Sequence, residues 1–127
     1  MMDEYETFRE IGVNRVETSE MFTLHILHRF LALHKKPMPR QTLRQVVSDL
    51  RPVAAAFGLD AFLPRPGDLD HTICVLVRDN KIYPRQLRGG RGTFEEHLMI
   101  APAGVAALAG EFGMWVRRMA GALEPAA

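Results

Sequence analysis

Four cations with no acid among them, Lys81, Arg85, Arg88 and Arg91, surround Gly89, Gly90 and Gly92, and this segment carries the clearest chemistry in the chain. A guanidinium group offers a planar fork of donors that matches phosphate oxygens. Glycines between two such groups let the backbone turn and lie close to a polyanion. The chemistry predicted here is recognition of phosphate, with no bond made or broken. Other combinations are weaker. His25 and His28, three residues apart, have the spacing to share a metal, but no cysteine or carboxylate stands beside them at ligand spacing. No metal and no cofactor is therefore expected. His71 and Cys74 form a similar pair, and Cys74, set among Ile73, Val75, Leu76 and Val77, is read as a buried, inert thiol. Glu95-Glu96-His97 falls on a predicted strand, where neighbours point to opposite faces, so the three cannot converge on one substrate. There is no P-loop, nucleophile elbow, His-Glu-x-x-His or cysteine pair, and an enzyme is not expected.

The elements that must position these groups follow from the pattern of apolar residues. Thr18 and Ser19 are good helix caps, and Met21, Leu24, Leu27, Phe30 and Leu31 give helical spacing, which predicts a first helix over about 19–35. Lys36-Pro37-Met38-Pro39 breaks it. A second helix runs from about Arg40 through Leu43, Val47 and Leu50 toward Ala56, with Pro52 placed to split or kink it and Gly58 to end it. After a loop over 58–67, a short third helix is predicted from Asp68 or Asp70 to Asp79. Residues 82–87 and 94–100 read as two strands joined by the glycine-arginine turn. Pro102 then suits a first helical turn, and a final helix over about 102–122 carries Leu108, Phe112, Trp115 and Met119 on one seam.

Charge is segregated along the chain although the net charge is only +1. Residues 1–18 form an acidic arm. Residues 21–51 hold six bases against Asp49 alone, 52–80 hold four aspartates against two arginines, and 81–94 hold four bases and no acid. Two basic zones separated by acidic ones meet on one face or are ordinary solvated surface. With 127 residues and 47% hydrophobic content the chain is long enough for one domain with its own core, assigned to 19–123. No apolar run approaches the roughly 20 residues that cross a bilayer. One cysteine excludes an intramolecular disulfide, and with an acidic start that does not suit a secretory signal, a cytoplasmic location is expected.

The strand-turn-strand segment resembles winged helix-turn-helix regulators of the MarR and PadR type. The phrase Leu76-Val77-Arg78-Asp79-Asn80-Lys81-Ile82 is similar to the end of their recognition helix. Leu98-Met99-Ile100-Ala101-Pro102-Ala103-Gly104 is similar to the phrase that opens their last helix, with Ala101 where a threonine is usual. The resemblance spans about residues 19–120, and its specific part is the hairpin. It implies a mainly α fold with a small β-hairpin, a winged helix extended by a C-terminal helix. It also implies a third helix in the major groove and a basic wing on phosphates or in the minor groove.

The expected function is therefore a small transcriptional regulator binding double-stranded DNA. Arg85, Arg88 and Arg91 would act in the wing with Lys81 beneath, Arg40 and Arg44 on the backbone, and His71, Thr72 and Arg78 on the third helix. Leu108, Phe112, Trp115 and Met119 are expected to form a homodimer interface, because one terminal helix has no evident place to bury them. The alternative is a winged-helix module that binds a protein partner. Asp68 and Asp70 favour it, since they would sit close to phosphates, whereas the acid-free 81–94 segment favours DNA. A second-to-third helix link of about a dozen residues, where a helix-turn-helix usually has three or four, leaves the docking angle of the third helix open.

Overall fold

The computed structural model describes residues 15–60, 63–65, 67–88 and 92–123. The chain runs α1 (Arg15–His34), β1 (Met38–Pro39), α2 (Arg40–Ala56), α3 (Leu69–Arg78), β2 (Ile82–Arg88), β3 (Phe94–Ile100), α4 (Pro102–Ala109) and α5 (Glu111–Leu123). It is mainly helical, with one small antiparallel sheet in the order β1-β3-β2.

Helix ends are set by backbone chemistry that the sequence supplies. At the end of α3, Asn80 adopts φ 59°, the Asn80 N–H donates to Val77 O at 3.0 Å and the Lys81 N–H to Leu76 O at 2.9 Å. This pairing satisfies the last carbonyls and reverses the chain into β2. The same motif closes α2: Gly58 has φ 73°, and the Leu59 N–H donates to Ala54 O at 2.8 Å. Pro52 does not split α2. It lies on an exposed position, where water can take up the carbonyl that a proline leaves unpaired.

Two apolar clusters hold the layers together. In the first, Leu24 and Leu27 of α1 meet Leu43 of α2, Ile73 and Leu76 of α3, and Ile82, Leu98 and Ile100 of the sheet. In the second, Phe22 of α1 meets Ala54 and the α2–α3 loop residues Leu59 and Leu63, with Trp115, Val116 and Met119 of α5. Met21 and Leu50 pack against both. The long α2–α3 link is thus anchored by its own leucines, and by a hydrogen bond from Arg51 Nη2 to Pro64 O.

The structure corrects several expectations. Thr18 and Ser19 do not cap the first helix; they lie buried inside α1, which already includes Arg15. Residues 15–18 therefore belong to the helix, and the rest of the acidic arm lies outside the described residues. The hairpin gains a third strand, since Met38 pairs with Leu98 and Pro39 with His97. The single C-terminal helix is two, broken at Gly110, whose ψ of 169° is extended. The break turns α5 onto α1, and it needs Gly113, where an added Cβ would lie 2.5 Å from Ala107 O. Leu108, Trp115 and Met119, read as a dimer seam, are each at most 2% exposed, being buried against the same chain. They present nothing to a partner; the side chain of Phe112 lies outside the described residues.

Candidate nucleic-acid interface

β2 and β3 form a ladder from Ile82↔Ile100 at the base to Arg88↔Phe94 at the far end. The base is fixed. Lys81 O accepts the Ala101 N–H at 2.8 Å, and Gly104 of α4 sits so close to that carbonyl that a Cβ there would lie 2.3 Å from it. Along β2 only Ile82 is fully buried, and at the other end of the ladder both Arg88 and Phe94 are exposed. The hairpin is thus anchored at one end and solvated at the other.

Alternation sorts its side chains. Opposed residues of an antiparallel pair share a face. Gln86, Arg88, Glu96 and Phe94 therefore continue the face of Ile82, Leu98 and Ile100, whereas Tyr83, Arg85, Leu87, Glu95 and His97 lie on the other. Arg85 and Arg88 are both exposed but on opposite faces, so one flat surface cannot use both. A groove that receives the hairpin edge-on can. Gly89, Gly90 and Arg91 lie outside the described residues. Lys81 is at the other end, about 20 Å from the turn at roughly 3.3 Å per residue, half-buried in a recess with Glu17 and Glu20 of α1. Lys81 thus stands at the opposite end of the hairpin from the exposed Arg88.

Burial raises the Glu20 carboxyl above its ordinary range, and the charge of Lys81 only partly offsets this. A raised carboxyl pKa means that the folded state holds the proton more tightly than the unfolded chain. The relative stability this gives is full below the unfolded value and lost as pH rises through the folded one. Glu20→Gln should therefore raise the melting temperature slightly at neutral pH, by less than about 1 kcal/mol in stability. Thermal melts at neutral pH and below pH ~4 check it: the gain should vanish in acid, where glutamate and glutamine are both neutral.

The arginines of α2 are already engaged. Arg40 Nε donates to Glu96 Oε1 at 3.0 Å, and its Nη2 contacts the same oxygen. Arg40 Nη1 and Arg44 Nη2 each lie 2.8 Å from Asp70 Oδ1. Burial works against the charge on Arg40, but the bonds to Glu96 and Asp70 outweigh it and the guanidinium is held charged. Hydrogen bonding from Arg44, joined by Arg40, lowers the Asp70 pKa despite some desolvation. The stability from this pairing is present above the usual aspartate range and is lost as pH falls through the lowered value. The network ties α2, α3 and β3 together, and sequence reasoning missed it. Glu96 and Asp70 are 56 and 30 residues from Arg40, and no local spacing signals such a pair.

On α3 the exposed side chains are Asp70, His71, Cys74 and Arg78. Thr72 is not among them: it is buried, and its hydroxyl donates to Asp68 O at 3.1 Å. Arg78 is exposed beside Asp79, at 3.2 Å. Cys74 is exposed, against the expectation of a buried thiol, because helical phase turns Leu69, Ile73 and Leu76 inward and leaves position 74 outside. His25 is buried on α1, and among the described residues no group of three or more metal-ligating side chains gathers. No helix of the described residues is long and apolar enough to cross a membrane. Compared with protein-family models, curated proteins and solved structures, the chain matches none.

Proposed function

We propose that this is a winged-helix protein that binds duplex DNA through the β2–β3 hairpin, in the manner of a small transcriptional regulator. The observation that carries the reading is the hairpin itself, anchored at Lys81 and Gly104, exposed at its far end, and free of acids over 81–94. The chain order of helix, strand, two helices and two strands, with β3 central in the sheet, supports it. In this reading Arg88 and Arg91 contact phosphate or enter a narrow minor groove, and Arg85 holds the opposite wall. His71 and Arg78 are the exposed groups that α3 offers to base edges or backbone. Leu108, Trp115 and Met119 lie in the core, so a homodimer in this reading would join through other surfaces.

Fluorescence anisotropy with random-sequence duplex at two salt concentrations tests the proposal. The expected result is micromolar binding that weakens steeply with salt. Arg88→Ala with Arg91→Ala should lower the affinity about tenfold on every sequence and flatten the salt slope by roughly one to two. An unchanged slope removes the hairpin from the account. The second reading, a module that holds a partner protein, is favoured by the carboxylates bound to Arg40 and Arg44. Absence of any DNA binding at low salt would select it.

A further inference from the structure

We infer that Arg40 and Arg44 form a second phosphate clamp, occupied in the free protein by the carboxylate of Asp70. The inference rests on the DNA-binding reading and assigns what controls one part of it. Two guanidinium groups from successive turns of α2 converge on one oxygen, Asp70 Oδ1, each at 2.8 Å. That is how paired arginines hold one oxygen of a phosphate. Glu96 braces Arg40 from β3 through its Nε at 3.0 Å, so half of the clamp keeps its shape whatever the other half holds. Beside it opens a surface recess of about 400 Å³, lined by Gln41, Thr42 and both arginines on the α2 side and by Glu95 and Glu96 on the β3 side. Arg40, Gln41 and Thr42 form the first turn of α2, whose preceding residue, Pro39, gives no side-chain cap to the N–H groups there. The positive end of the helix dipole thus faces the same place.

Charge explains why the clamp is silent in the free protein. Asp70 and Glu96 balance Arg40 and Arg44, and Glu95 adds a further carboxylate at the recess, so the cluster offers a polyanion no net attraction. Glu96 is half-buried, but the Asp70 side chain is 56% exposed and that of Arg44 45%. An ion pair this open to water is weak, and a phosphate oxygen can take the place of the carboxylate while Asp70 turns into solvent. Asp70, at the start of α3, is therefore a built-in competitor for backbone phosphate.

The test compares binding of a short random-sequence duplex to the full chain, to its Arg88→Ala/Arg91→Ala form and to four further variants, with a thermal melt of each. Asp70→Asn should tighten binding about three- to tenfold at low salt and steepen the salt slope by roughly one to two contacts. Asp70→Ser serves if the asparagine keeps hold of the arginines. Asp49→Asn makes the same charge change elsewhere on α2, where Asp49 accepts only from Gln45 at 2.8 Å, and should leave affinity within about twofold of the parent. Adding Arg44→Ala to Asp70→Asn should abolish the gain. The clamp is overturned if both Asp70 variants bind no tighter than the parent or Asp49→Asn, or if the gain survives Arg44→Ala. Salt-sensitive parent binding that depends on Arg88 and Arg91, together with inert Asp70 variants, would remove the clamp alone. No binding by any form at low salt would remove the clamp and the DNA reading together.

Discussion

Trp115→Ala should cost about 3–5 kcal/mol, the largest single-residue loss in the molecule, and bring the protein close to unfolding at room temperature. Trp115 is the biggest fully buried side chain, packed with Phe22, Leu63 and Val116 where α5, α1 and the α2–α3 loop meet. Truncation removes its contacts and leaves a void that backbone from three directions cannot collapse to fill. Trp115→Phe keeps most of the volume and should cost far less, about 1–2 kcal/mol. Denaturant titration followed by circular dichroism checks both, because the variants lack the only tryptophan. The same titration separates the two roles considered for this residue. A core role predicts a loss of stability that does not depend on protein concentration. A loss that appears only on dilution would restore an assembly role.

Gly104→Ala should destabilise by about 2–3 kcal/mol, although alanine is the better helix former by about 1 kcal/mol. The new methyl would lie 2.3 Å from Lys81 O and 2.7 Å from Ile100 Cγ1. The first of these is backbone and is already bonded to the Ala101 N–H, so relief requires α4 to lift from the foot of the hairpin. A fall of about 10 °C in melting temperature is expected. Gly121→Ala is the control: it lies in α5 with nothing within 4 Å of an added Cβ, and should raise stability by about 0.5–1 kcal/mol. Equal effects at the two positions would mean that α4 stands farther from the hairpin than described. If the hairpin binds DNA, Gly104→Ala should also weaken that binding beyond what its melting temperature explains, since it loosens the anchor of the hairpin.

Much of the fold was legible in local pattern. The hairpin strands came from alternation and glycines, and α3 from its polar start and its Asp79-Asn80 stop, because those signals act over a few residues. The two-residue β1 was not legible, since Met38 and Pro39, just after Pro37, are too few to show a period. The break at Gly110 was hidden because the alanines before it favour helix and the apolar seam continues beyond it, which outweighed a glycine that is itself a poor helix former. At the candidate site the exposed arginines of the hairpin were legible. The engagement of Arg40 and Arg44 was not, because it depends on α3 and β3 arriving beside α2. Thr72 and Cys74 exchanged their expected places for a related reason: an apolar run gives composition, while burial follows the angle around the helix.

The sheet's two borders bear on how anything can be recognised. β1 and β2 are the edge strands, and β1 has only two residues, Met38 and Pro39, while β2 carries Pro84. Proline supplies no N–H, and an edge interrupted by it is a poor template for another strand. Edge-to-edge pairing of this sheet is thereby disfavoured, and so is docking of a peptide as an added strand. Among the described residues, recognition is thus directed to side chains at the exposed end of the hairpin and on the helices.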